Sequence, residues 1–468
     1  MTRRLTPGQR QRALEMLEEG ADRVSIAAAL GISPAQVSAI AAHRSMGTYA
    51  RKDVSSRRPP VKAPKARENV VRMPIARGSA PSSSSTAVLL GTDNDTNDTV
   101  FWNPHPENGS SNPHVLIVGE TGSGKTYTAS CLMAELAHQG IPSIVFDYGQ
   151  GFAAGQLPEE FAAHVQATEF RLNQDGIAIN PLQIFSGDVH GPATVAQRVA
   201  DTLRRIYPHV GVQQHALIRR GVLEVFEDAG IHRRSPQTWT RPAPGLKELE
   251  RKLLGLAASV DVGVRRVAAS AASHLSSLFL FDTFRSTGVP LAWSDLQQKP
   301  HQAWILQLGG MESSTERVTT EFLLWNLIRY FETIGPAGLR CFVVLDEAHK
   351  LSFEPDSPVE RLLREGRKFG VGVLLASQQP EDFSAVAFSN TATKLIFHIS
   401  DMRHVVSRQL HARATDQSVS RIHVVLNGLQ RGCAYVLTRG VGRVVTIASL
   451  EERLRRWRAA PPSHASIS

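Results

Sequence analysis

Apolar residues along this chain fall into two patterns: short unbroken runs, and longer stretches with an apolar side chain every three or four positions. The runs at 115–118, 143–147, 303–308, 341–345, 372–376 and 394–398 predict buried strands, and 433–438 with 442–448 predict a further strand pair. After the first run, TYTASCLMAELAHQ continues as an amphipathic helix, so 115–147 predicts a strand–helix–strand unit with parallel strands. Residues 88–102, crossing a polar turn from Asn94 to Asp98, predict a hairpin leading into that unit. From about 190 to 300 the pattern turns helical. Val195, Val199, Leu203 and Ile206 share one face, and further helical segments lie near 212–229, 245–259 and 265–280. The expected class over 87–450 is therefore α/β, with a mostly parallel sheet and a helical insertion.

A different unit precedes this domain. Thr6-Pro7 has the form of a helix start and Gly20 of a stop; SIAAALGISPAQVSAIAAH then reads as a helix, a turn at Gly31 and a third helix opened by Ser33-Pro34. Ala28, Leu30, Ile32, Val37 and Ile40 are its candidate core. Residues 1–48 thus predict a small all-α unit that resembles the helix-turn-helix of the resolvase and homeodomain-like families. In that reading 35–44 is the recognition helix, and Gln36, Ser38 and Arg44 are candidates to face a DNA groove. A three-helix oligomerisation module would show the same pattern. Residues 49–86, rich in proline, serine and basic side chains, read as a flexible linker, and 451–468 as a basic C-terminal helix with a frayed tail.

Composition changes the picture in one place. The whole chain is ordinary for a globular protein, 42% hydrophobic and 20% charged, with a net charge of +9. Residues 1–80 hold 15 Lys and Arg against 6 Asp and Glu, while the remaining 388 residues hold 37 of each. The positive excess is thus confined to the N-terminal unit and linker, which suggests contact with nucleic acid there, or else a solvated basic tail. No apolar run approaches the roughly 18 residues that span a bilayer, and no secretory leader is visible. Cys131, Cys341 and Cys433 are widely spaced, without metal-site spacing, so neither a disulfide framework nor a zinc site is expected. A cytoplasmic protein with no intrinsic membrane segment is the expectation.

The candidate chemistry starts at HVLIVGETGSGKT, residues 114–126. It satisfies G-x-x-x-x-G-K-[ST] between a buried strand and a helix, the context this phosphate-binding loop requires. Gly119, Gly122 and Gly124 let the backbone N–H groups of the loop, including those of Glu120, Thr121 and Ser123, turn toward phosphates. Lys125 reaches the β- and γ-phosphates, and the Thr126 hydroxyl is placed for Mg²⁺. ATP and Mg²⁺ are the expected cofactors. Further on, CFVVLDE sets Asp346 and Glu347 at the C-terminal end of a buried strand, where ligands bind in open parallel sheets. Asp346 suits the Mg²⁺ shell opposite Thr126, and Glu347 suits orientation or deprotonation of an attacking water. The tetrad DEAH at 346–349 also invites a DEAH-box helicase reading, but too little chain follows to build the second domain those enzymes need, so His349 reads as incidental. Gln378, at the end of the run 372–376, is the candidate γ-phosphate sensor, ahead of Gln379. Arg364, Arg367 and Lys368 form a charged helical face, and in a ring one of them can reach a neighbouring subunit's nucleotide as an arginine finger.

In this order, GETGSGKT, VVLDEAHK, LLREGRKFGVGVLLASQQP and NTATKLIFHISD resemble the HerA/FtsK superfamily of ring-forming, DNA-translocating ATPases, which includes conjugative coupling proteins and type IV secretion ATPases. The resemblance covers roughly 88–450. It implies a RecA-like P-loop NTPase core, Lys125 and Thr126 on phosphates and Mg²⁺, Asp346 and Glu347 in their acid roles, Gln378 as sensor and Arg367 as the arginine finger. Asn180-Pro181-Leu182 also fits a family pattern. Double-stranded DNA, a homo-oligomer of hexameric form, and a nuclease or transfer proteins are the implied partners. Departures are plain: the N-terminal β-barrel of HerA proteins shrinks here to the 88–102 hairpin, and the membrane helices of FtsK and coupling proteins are missing. Two other functions stay open at this point, an ATP-gated helix-turn-helix regulator and a conjugation or secretion ATPase working with membrane partners.

Overall fold

The structure, a computed structural model, describes residues 12, 13, 16, 23–32, 37, 86–105, 112–153, 155–399, 416–438 and 440–459. Two compact units divide at Ser79. In the first, helix α1 (Arg23–Leu30) contributes Ile26 and Ala27 to a small core with Ala13 and Val37, against which Leu30 and Ile32 pack. Ala28, expected in that core, is exposed; the buried face of α1 is set by Ile26 and Ala27 instead. Gly31 ends the helix with φ +60°, as expected of a glycine just past a helix. Gln36, Ser38 and Arg44, and the linker up to residue 85, lie outside the described residues.

Among the described residues, the second unit is built on one eleven-stranded sheet. In chain order its strands are β1 (Val88–Asp93), β2 (Thr99–Trp102), β3 (Val115–Val118), β4 (Ser143–Asp147), β5 (Thr168–Phe170), β6 (Ala303–Gln307), β7 (Cys341–Leu345), β8 (Val371–Ser377), β9 (Thr393–Ile396), β10 (Cys433–Thr438) and β11 (Val441–Ile447). Their spatial order is β2-β1-β11-β10-β9-β3-β8-β7-β4-β6-β5. The stretch from β9 to β5 is parallel throughout, and antiparallel pairs carry β2 to β10 at the other side. The predicted α/β class with a mostly parallel sheet is what forms. β3, β4, β6, β7 and β8 are buried at every position, which explains why they read as unbroken apolar runs: both faces are covered. Successive residues serve opposite faces. Leu116, Val118, Ile144 and Phe146 join one core layer, while Val115, Ile117 and Val145 join the other with helix α2 (Lys125–His138).

The insertion contains α3 (Pro192–Ile206), α4 (Val212–Asp228), α5 (Leu246–Ala257), α6 (Val262–His274) and α7 (Ser276–Phe281), close to the predicted segments, around a third core. Asn180 ties it down: its side-chain amide donates to the carbonyls of Ala243 (3.1 Å) and Pro244 (2.9 Å) while its oxygen accepts from Leu182 N–H (2.9 Å). Several elements had no counterpart in the sequence reading, β5 and helix α8 among them. β5 is a three-residue edge strand, half-buried throughout. Helix α8 (Ser313–Ile334) has 22 residues, and its buried set runs around the cylinder, from Val318 and Phe322 in the insertion core to Leu323, Leu327 and Phe331 in the sheet core. In its first half polar residues are buried as well, Thr315, Glu316, Thr319, Thr320 and Glu321, so polar and apolar positions do not separate by face and the period is blurred.

Two details brace the sheet. His114, just before β3, is buried; its Nδ1 accepts from Val373 N–H at 3.1 Å, bracing β3 against β8. Burial lowers its pKa from 6.5 to about 4. The unfolded imidazole therefore takes up a proton first as pH falls. Stability from this group is full above 6.5, declines between 6.5 and about 4, and is flat below. The loss reaches about 3 kcal/mol at most. Urea midpoints measured across that window should fall more steeply for wild type than for His114→Asn; parallel profiles would refute this role. At the other end of the chain, α12 (Leu450–Ala459) is built into the domain rather than appended to it. Fully buried Arg453 donates to the carbonyls of Leu89, Leu90 and Ala448 and to Glu135 of α2. Between β7 and β10 lie helices α9 (Pro358–Glu365), α10 (Ala385–Asn390) and α11 (Asp416–Asn427). Among the described residues no helix is long and apolar enough to cross a membrane.

Candidate functional site

The strands β3, β4, β6, β7 and β8 all run the same way, so their C-terminal ends gather Gly119, Asp147, Gln307, Asp346 and Gln378 along one edge. The loop after β3 packs tightly. A Cβ on Gly119 would sit 2.5 Å from that of Phe397, and Gly122 and Gly124 adopt φ +79° and +112°, which only glycine enters freely. Gly124 caps α2 without any side-chain acceptor, so the first N–H groups of the helix face the loop's hollow with the positive end of its dipole. Lys125 is folded inward: its Nζ donates to the carbonyls of Gly119 (2.7 Å) and Glu120 (3.0 Å). Burial lowers its pKa, against the pull of Asp346, Glu347 and Glu120.

Across the cleft, β7 ends at Leu345 and presents Asp346. Burial raises its pKa to about 6, reinforced by the Glu347 and Asp147 carboxylates and eased by Glu347 N–H and Lys125. A carboxyl held that high by crowding gains from any cation placed beside it. Glu347 adopts φ +52°, an uncommon left-handed conformation outside glycine, which swings its side chain toward β8. There Gln378 bridges two parts of the site. Its amide nitrogen donates to Glu347 (3.2 Å) and its oxygen accepts from Thr121 Oγ1 (2.9 Å). The phosphate loop and the acid pair are thus joined through one glutamine. Gln379 instead shapes the turn after β8, its N–H donating to Asp382 at 3.3 Å.

Several contacts around these residues escaped the sequence reading. His349, read as incidental, has its Nδ1 3.2 Å from Glu347 Oε2. Asp147, the last residue of β4, accepts from the N–H groups of Gly149, Gly151 and Phe152 and from Gln307 Nε2 (2.9 Å). It thereby shapes the 148–152 turn that passes Thr126, where a Cβ on Gly151 would lie 3.4 Å from the threonine methyl. The signal for Asp147 was present, a carboxylate ending a buried strand like Asp346, but its partner on β6 is remote in sequence. Arg367 takes a different position. It lies in a single turn, Gly366–Phe369, just before β8 begins, hence at the sheet edge opposite the phosphate loop, and is exposed. Arg364 is engaged by Glu360 in its own helix α9, and Lys368 lies over the Phe369 ring at 5.2 Å.

The residues fit the groups the motif implies. Ser123 Oγ is buried in the loop with no hydrogen-bond partner, as expected where an acceptor is to be supplied from outside. Thr126 and Asp346 are oxygen donors of the kind Mg²⁺ takes.

Residues 110–327 match the family described as "Helicase HerA, central domain". The chain is 23% identical over 300 residues to the DNA double-strand break repair helicase HerA of Saccharolobus solfataricus, and 22% over 315 residues to that of Sulfolobus acidocaldarius. These alignments take in 61% and 63% of the chain, which spans about half the length of each relative, 54% and 57%. Among solved structures, VirB4 of Thermoanaerobacter pseudethanolicus superposes with a TM-score of 0.64 at 18% identity, covering 78% of this chain and 97% of that one. The plasmid coupling protein TrwB bound to an ATP analogue superposes with a TM-score of 0.50 at 14% identity, over 72% of this chain and 87% of its own.

Proposed function

We propose that this chain is a P-loop ATPase of the HerA/FtsK type, which hydrolyses ATP with Mg²⁺ and, as a ring-shaped homo-oligomer of hexameric form, uses the energy to move or remodel double-stranded DNA. The observation that carries the reading is the junction of Thr121, Gln378 and Glu347, which links the phosphate loop to an acid pair across the cleft. In this mechanism Lys125 leaves its two loop carbonyls for the β- and γ-phosphates. Thr126 and Asp346 would hold Mg²⁺, which supplies neutralising charge to the phosphate oxygens. Glu347 orients the attacking water and accepts its proton, and Gln378 reports the γ-phosphate to Glu347 through the bond they share.

Arg367 is assigned to the neighbouring subunit's site. Its place on the sheet edge away from its own loop suits an arginine finger in trans, and the phosphate loop is then half of an interface. Mixing Arg367→Ala with Lys125→Ala subunits should restore part of the activity that each variant lacks alone. No recovery at any ratio counts against the assignment. The basic N-terminal unit and linker supply a sequence-tolerant hold on DNA; a nuclease or transfer proteins would act on the DNA so delivered. The direct test is an ATPase assay with and without duplex DNA, paired with mass measurement of the assembly with and without ATP. Turnover indifferent to DNA, or a species that stays monomeric, sinks the motor reading.

A further inference from the structure

Helix α2 is buried at every residue from Thr128 to Ala137, yet Tyr127, immediately after the phosphate-binding Thr126, is 46% exposed. Its hydroxyl is not left to water. Leu450 N–H, at the start of α12, donates to it at 2.9 Å, which pins the far edge of the ring while its bulk faces outward. An exposed aromatic held at its tip is a rigid, preorganised surface. Its place along the helix decides what that surface meets. With the β- and γ-phosphates at Lys125 and Thr126, the remainder of a nucleotide passes the first turn of α2, where Tyr127 is the one large apolar side chain left uncovered.

We propose that the Tyr127 ring is the platform on which the base of the bound nucleotide stacks, with the β11–α12 corner holding the ring in place. The inference rests on the nucleotide-binding reading above and adds a specificity to it. Stacking on a ring face tolerates any base and favours the larger ones, so purine nucleotides bind better than pyrimidine nucleotides while ATP and GTP are scarcely distinguished.

The test is equilibrium titration of the full chain with ATP, CTP and inorganic tripolyphosphate, which has phosphates but no base. Tyr127→Ala should weaken ATP about tenfold and leave tripolyphosphate within about twofold. Tyr127→Phe loses the bond to Leu450 but keeps the ring, and should hold ATP close to the wild-type affinity; this separates stacking from any loosening of α12. Unchanged ATP affinity in Tyr127→Ala, or equal weakening of ATP and tripolyphosphate, overturns the proposal. Wild-type protein that binds tripolyphosphate as tightly as ATP overturns it as well while leaving the phosphate loop intact. Wild-type protein that binds neither ligand removes the nucleotide reading itself.

Discussion

Glu347→Gln is expected to bind ATP within a few-fold of wild type while turning it over about 10²–10⁴ times more slowly. The substitution is nearly isosteric, and the new amide still offers an oxygen to Gln378, so the link to Thr121 survives. What disappears is the carboxylate to which the proposed mechanism gives the proton from water. Lys125→Ala should do the reverse and abolish nucleotide binding, since the only cation folded into the loop is then gone. Direct binding measurements beside single-turnover hydrolysis separate the two. Equal loss of ATP binding in both variants would show that Glu347 shapes the pocket rather than the reaction.

The second large effect concerns stability. Arg453→Ala should cost about 3–5 kcal/mol, because it strands a buried carboxylate. Arg453 and Glu135 are 0% and 3% exposed, 3.1 Å apart, and the guanidinium also satisfies three backbone carbonyls. Burial already raises the Glu135 pKa, with Arg453 the main opposing influence. Adding Glu135→Gln to Arg453→Ala should therefore recover part of the loss, read as a partial return of the urea midpoint. A double variant no more stable than the single one would show that the carbonyls, not the carboxylate, account for the effect.

These two sites differ in how they could be read from sequence. The phosphate loop is contiguous, so its eight residues announced their chemistry without any fold. Asp346 and Glu347 were also legible, because the strand before them is a bare apolar run and its end is fixed. The links between such pieces were not. Gln378 meets Glu347 only through the β7–β8 pairing, His349 reaches back only because Glu347 takes a left-handed turn, and Asp147 finds Gln307 only through β4–β6. Arg453 looked like one more charge in a basic tail. Its burial depends on β1, whose carbonyls lie more than three hundred residues earlier in the chain. Helix α8 was hidden because polar residues of its first half, Thr319 and Thr320 among them, are buried with the apolar ones, so no clean face marks its period.

The pairing of β1 with β11 sets Gly91 opposite Ile447, the beginning of the domain against its end. During synthesis at about 5–20 residues per second, the first strand waits some tens of seconds for its partner. Through that interval a nascent chain on the ribosome carries an unpaired sheet edge and an incomplete core. Completion of the sheet is thus a late and nearly all-or-none event, and premature termination before the end of β11 leaves a product for chaperones and proteases rather than a shortened domain.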